Sequence, residues 1–216
     1  MEIQNIRVQK TARYAVIEPK GEVKAVLYAL HGYRQLISYF AQPFEVLAAQ
    51  GVRVIAPEGL SRFYVAGYSG QVGATWMTKE DREVDITDYI DYLNQLHESL
   101  KPSMEGLPLH LLGFSQGGAT AGRWLSHCSI PFQSFTLYAS VFPNDFDFPG
   151  MADVVNSMQT IICFGDEDVF ADEKTIAKKM NWLQSFGYEA KLLRFSGKHK
   201  VYPEVLEMVW KEISSA

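Results

Sequence analysis

The segment Leu109–Gly122 reads LHLLGFSQGGATAG, an apolar run that meets a cluster of glycines around a single serine. A short apolar run bounded by turn residues fits a strand covered on both faces, and PLHLLGF is read as one. The residues from Gln116 to about Cys128 carry a helical pattern, so Ser115 falls in the turn between strand and helix. Such a turn must reverse within very few residues. Gly113 and Gly117 have no Cβ to block the close approach of strand and helix, and the serine hydroxyl is left projecting from the tip. The next backbone N–H, that of Gln116, points at the same spot. This G-x-S-x-G arrangement, in the strand-to-helix context it requires, is a nucleophile elbow. The plain alternative is a glycine-rich turn that only packs.

Outward from this turn, the pattern repeats. KAVLYAL, VRVIAPE, SFTLYAS, TIICFG and YEAKLLRF read as strands. Helical patterns run over Ser38–Gln50, Lys79–Leu100, Asp172–Phe186 and Pro203–Ser214. Alternation of strands and helices predicts a mostly parallel sheet with helices on both faces. At the start, IQNIRVQ and RYAVIE alternate with period two and predict an antiparallel pair of strands. Residues 59–78 read as an aromatic, glycine-bearing loop, and 142–159 as a long irregular insertion after a strand end.

Composition narrows the class. The chain has 216 residues, 47% of them hydrophobic, enough for one substantial core, and a single domain over 1–216 is expected. A net charge of −5 supplies no basic field for nucleic acid or anionic lipid. The N-terminus has no apolar core of a secretory signal and no run approaches the ~18 residues of a membrane span, so a cytoplasmic protein is expected. Cys128 and Cys163 stand far apart in no metal-ligand spacing, which argues against a disulfide framework or metal site.

A serine hydroxyl needs a base to take its proton and a third group to orient that base. His110, on the same strand as Ser115, sits about 16 Å back at ~3.3 Å per residue and faces the opposite sheet edge. His127 is about 18 Å along the following helix at ~1.5 Å per residue, at the end where carbonyls accumulate. His97, late on a long surface helix, reads as solvated, and His31 in LHGY reads as a loop-ordering residue. His199, just past the last strand in FSGKHKVYP, is left as the base. For the acid, TIICFG releases DEDVFADE at the same edge, after the serine and before the histidine. Asp166 and Asp168 are both placed to serve, with Asp172 a more distant third.

LHGY, TWM, LLGFSQGGA, CFGDEDVF and FSGKH together resemble the α/β-hydrolases of the phospholipase/carboxylesterase family, which includes acyl-protein thioesterases. The pieces span nearly the whole chain. The resemblance implies an α/β-hydrolase fold, here with an antiparallel N-terminal strand, and the length of the chain leaves no separate lid domain to spare. It also implies Asp168 as the acid, His199 as the base, and the Tyr33 backbone N–H as a second oxyanion donor beside Gln116. The chain departs from the family pattern after His-Gly, where YRQLIS replaces a longer glycine-rich loop, and at Ala171, where a proline often follows the acid.

The function expected is a serine carboxylesterase acting on small to medium acyl esters through a Ser115–His199–Asp168 triad, with no cofactor. Trp76, Met77 and Tyr68 are expected to line the acyl pocket. A lysophospholipase or acyl-protein thioesterase with the same triad is the near alternative, and a non-catalytic binding protein the remote one. The expected partner is a small-molecule ester or thioester, with the chain a monomer or homodimer.

Overall fold

The computed structural model describes residues 1–171 and 173–215. Its centre is a seven-stranded sheet of order β1-β3-β2-β6-β7-β8-β9. The strands are β1 (Tyr14–Ile17), β2 (Ala25–Leu30), β3 (Val52–Pro57), β6 (Leu109–Phe114), β7 (Phe132–Tyr138), β8 (Gln159–Gly165) and β9 (Lys191–Phe195). All neighbours pair in parallel except β1, which lies antiparallel to β3 at one edge. The helices are α1 (Ile37–Phe40), α2 (Glu45–Ala48), α3 (Arg82–Leu100), α4 (Gln116–Leu125), α5 (Ala152–Asn156), α6 (Glu173–Ser185) and α7 (Pro203–Ser214). This is the α/β-hydrolase fold.

Why the central strands read as unbroken apolar runs is visible in β2. Its alternate residues Val26, Tyr28 and Leu30 join a core with α3 and α4, whereas Ala25, Leu27 and Ala29 join a second core with α2 and α7. Both faces are dry, so neither needs polar residues. Between β3 and β2 on one side and β6 on the other, the direction of chain progression reverses, which opens a crevice at the carboxyl ends of β2 and β6. Ser115 emerges there.

Four local expectations change. Residues 3–9 are not a strand. Ile3, Ile6 and Val8 stay exposed, and the segment is instead tied to α3 through Asn5–Asp81 and Arg7–Asp91. Its apolar residues do not keep a strict period of two and find no face to bury, so β1 takes its single partner from β3. The helix read over 38–50 breaks into α1, a 3-10 turn at Gln42–Phe44 and α2, because Pro43 lacks the N–H an α-helix needs. Residues 59–78 hold a hairpin of β4 (Ser61–Tyr64) and β5 (Val72–Thr75). The 142–159 insertion buries Phe142, Phe146 and Phe148 and ends in α5. Its Asp145 clasps Arg123 of α4 at 3.0 Å and Arg82 at 2.5 Å. Burial alone would raise the Asp145 carboxyl, but the hydrogen bonds and charges of the two arginines outweigh it and hold it down at about 2.

Candidate active site

The elbow is built from backbone. Ser115 adopts φ 52° and ψ −119°, a region that costs a non-glycine residue roughly 1 to 3 kcal/mol. Its surroundings hold it there. The Ser115 N–H donates to Tyr138 O at 3.0 Å, and its carbonyl accepts from the Ser140 hydroxyl at 2.8 Å. The flanking glycines are steric requirements: a Cβ on Gly113 would lie 2.5 Å from Gly118 N, and one on Gly117 would lie 2.6 Å from His31 O. Helix α4 therefore touches the ends of β2 and β6 backbone to backbone.

His199 and Asp168 meet. His199 Nδ1 is 2.7 Å from Asp168 Oδ2, and the Asp168 side chain is fully buried. The second carboxylate oxygen, Oδ1, accepts the Phe170 N–H at 2.9 Å, so both oxygens are engaged. The imidazole lies between aromatic rings, with Phe114 at 4.9 Å and Phe170 at 4.8 Å between ring centres. Phe114 is the residue before Ser115, which puts the imidazole beside the elbow. Asp166, the other acid considered, accepts from Gly197 N–H at 3.0 Å and so staples the two loops rather than touching the histidine. Asp172 lies outside the described residues.

The two amides expected to receive an oxyanion sit at the end of β2 and the start of α4. Gln116 is the first residue of its helix, where an N–H has no intrahelical acceptor. Among the described residues, neither the Tyr33 nor the Gln116 N–H donates to a protein group. The loop bearing Tyr33 is held by His31. This residue is buried, stacks on Trp76 with ring centres 5.0 Å apart, and accepts the Gly59 N–H at Nε2 over 2.9 Å. Its Nδ1 is then the protonated nitrogen, donating to Gly32 O at 2.7 Å. Burial pushes its pKa down to about 4, so it is a neutral prop for the loop.

Sequence reasoning missed the Gln116 side chain. Its Oε1 accepts from Thr75 Oγ1 at 3.1 Å and Trp76 N at 3.3 Å, and its Nε2 donates to Met77 O at 2.9 Å. One amide thus ties the elbow to the end of β5. The signal was a polar, bidentate side chain next to the serine.

The proposed pocket residues scatter. Trp76 is buried beneath His31 and donates to His31 O at 2.8 Å, which makes it part of the core. Tyr68 stands in solvent at the tip of the β4–β5 hairpin, and only Met77, half-buried near Arg123, stays close to the elbow through Gln116. The aromatic density of residues 63–77 serves packing in Trp76 and lies on the surface in Tyr68. A cleft of about 280 Å³ lies between residues 34–43, 71–72 and 200–201, one residue along the chain from Tyr33 and His199, and none of the three expected pocket residues lines it. His97 also differs from expectation. It is buried with Nδ1 3.1 Å from the Tyr28 hydroxyl, because α3 presents that face to the core.

A family model described as phospholipase/carboxylesterase matches residues 11–216. The chain belongs to the phospholipase/carboxylesterase family. This assigns it to the hydrolases. Solved structures agree in fold. A Zea mays acyl-protein thioesterase 2 is 20% identical, with 95% of this chain and 99% of that one covered at a TM-score of 0.73. A carboxylesterase from Mesorhizobium loti is 14% identical, with 95% of both chains covered at 0.70. A carboxylesterase from Bacillus cereus is 12% identical, with 94% of both covered at 0.64. No curated sequence is significantly similar. Among the described residues, no helix is long and apolar enough to cross a membrane and no cluster of His, Cys, Asp or Glu has the makings of a metal site.

Proposed function

We propose that the protein is a serine carboxylesterase that hydrolyses small to medium acyl esters through an acyl-enzyme. Ser115 attacks the ester carbonyl, His199 takes the hydroxyl proton and returns it to the departing alcohol, and Asp168 holds the imidazole. The Gln116 and Tyr33 N–H groups receive the oxyanion, each worth roughly 3 to 4 kcal/mol of barrier in comparable enzymes. Water then repeats the sequence on the acyl-enzyme and frees Ser115.

The observation that carries this reading is the 2.7 Å contact of His199 Nδ1 with a fully buried carboxylate beside a strained serine. That contact fixes the tautomer with Nε2 free to accept a proton. Strain on a serine and two amides without a protein acceptor among the described residues have no packing purpose, and functional sites are where such features gather. The preference for short acyl groups is carried by the cleft of about 280 Å³ that flanks the Tyr33 and His199 segments, taken as the acyl site.

Fluorophosphonate labelling of wild type and Ser115→Ala, with 4-nitrophenyl esters of two to sixteen carbons, tests the reading. Labelling of wild type alone, and kcat/KM highest for the shorter esters, is the expected result. A wild type that is unlabelled and inert on every ester overturns it. A preference for palmitoyl thioesters moves the assignment to a protein-deacylating enzyme with the same triad.

A further inference from the structure

A cleft of about 280 Å³ is lined by residues that adjoin the proposed catalytic groups in the chain, although none of those groups lines it. Its floor is apolar, made of Phe40, Pro43 and Val201, and its rim carries Arg34, Gln71 and Lys200. The two cations are the chain neighbours of the proposed machinery: Arg34 follows Tyr33, and Lys200 follows His199. A substrate held by Ser115 and the Tyr33 amide therefore has the two cation-bearing segments of this cleft as neighbours of its binding groups.

Arg34 is unlike the rest of its kind. Every other arginine in the chain lies within 4.0 Å of a carboxylate, whereas Arg34 has no such partner among the described residues. Lys200 has none either, and its ammonium rests 5.7 Å from the Tyr202 ring centre. Most lysines of the chain are likewise unpaired with a carboxylate among the described residues, so it is Arg34 that stands apart, in a chain of net charge −5 where carboxylates are plentiful. The backbone at Arg34 is also unusual. It takes φ 69°, where glycine or asparagine is the less strained residue, and it is fixed there by donation from its N–H to Ala74 O at 2.9 Å. Gly73 permits this, since a Cβ on it would lie 2.7 Å from Arg34 Cα. The fold thus holds an arginine over the cleft mouth at some cost and leaves its charge unanswered.

We propose that this cleft is a subsite for an oxyanion carried on the ester substrate, a carboxylate or a phosphate, recognised by Arg34 and Lys200 across a short apolar span. The proposal rests on the esterase reading and narrows its substrate class to anionic esters. Guanidinium and ammonium groups pair with such oxyanions by charge-assisted hydrogen bonds, and a partly enclosed cleft screens them less than open solvent does. The volume, just below the ~300 to 1,000 Å³ of drug-sized pockets, suits a small anion on a short chain.

Two substrate pairs locate the charge. On the acyl side, 4-nitrophenyl hydrogen glutarate is compared with its neutral methyl ester; on the alcohol side, butyryl glycerol 3-phosphate with butyrylglycerol. In one of the two pairs the anionic member is expected to have a kcat/KM roughly tenfold higher at low salt, with the ratio shrinking as ionic strength rises. Arg34→Gln and Lys200→Gln are each expected to cut that ratio several-fold, and Arg34→Lys to restore part of it. Ratios near one in both pairs, or ratios untouched by either glutamine variant, overturn the proposal. Calorimetric titration of glutarate and of glycerol 3-phosphate into Ser115→Ala reads the cleft without turnover. Binding lost in the glutamine variants supports the subsite even if the esterase reading fails. Active, labelled protein with neither binding nor charge preference removes the subsite and leaves the esterase standing.

Discussion

The sheet carries two serine–histidine neighbourhoods, one at each end of β6, and they differ in everything except residue type. At the amino end, His110 Nδ1 lies 2.8 Å from Ser134 Oγ, both residues are buried, and the imidazole packs edge-on against Trp210 at 5.1 Å. Among the described residues nothing charged joins them, and burial pushes the His110 pKa down to about 4. At the carboxyl end, Ser115 is half-buried on a strained turn, and His199 is bound to a buried carboxylate. The first pair closes a polar gap in the core. The second joins a histidine to a buried carboxylate beside a strained serine, next to two amides that donate to no protein group among the described residues. A serine near a histidine is therefore poor evidence of chemistry, and the third group, the unused donors and the access decide the matter.

Removing the third group should bring the two neighbourhoods closer together, and this is the largest effect expected. Asp168→Asn keeps the shape but lets His199 take the wrong tautomer, and kcat should fall by roughly 10⁴-fold with the fold intact by circular dichroism. A loss under tenfold would mean that the carboxylate only fastens a loop. The next effect concerns pH. His31 and His110 are both held down at about 4 from an ordinary 6.5, so between those values the unfolded chain binds more protons than the folded one. Stability is then complete above pH 6.5 and declines as pH drops toward 4, by up to about 3 kcal/mol per histidine. Denaturant melts across that range should show the slope, and His110→Gln should flatten it; a slope unchanged by the substitution would assign it to other groups. Smallest is Ser134→Ala, which orphans the buried His110 nitrogen. It should cost about 1 to 3 kcal/mol of stability and leave kcat as it was. Loss of activity in a well-folded Ser134→Ala protein would erase the distinction between the two ends.

Much of this was legible because it depends on local pattern. Period and run length marked the buried strands, and the glycines at 113 and 117 marked the elbow through a purely steric need. Chain order placed His199 and the acidic loop at one edge, but spacing alone left Asp166 and Asp168 equivalent. They are separated by a tertiary fact, since one carboxylate reaches a backbone amide and the other an imidazole. The aromatic loop misled for a similar reason. Trp76 and Tyr68 look alike in sequence, yet the first is covered by His31 and the second by nothing. Which side of the sheet covers His97 likewise depends on the rotation of α3, where His97 falls on the face packed against Tyr28.

The direct backbone seat of Gly117 on the end of β2 divides the protein into parts with different evolutionary freedom. No side chain can be added at that seam without moving a strand end, so the reactive turn tolerates almost no drift. The Arg34 and Lys200 side chains border it, exposed and without sharing that restraint, although the Arg34 backbone is itself seated on Gly73. New substrate preferences in descendants of this chain should therefore arise by rewriting the cleft mouth while the elbow is inherited unchanged.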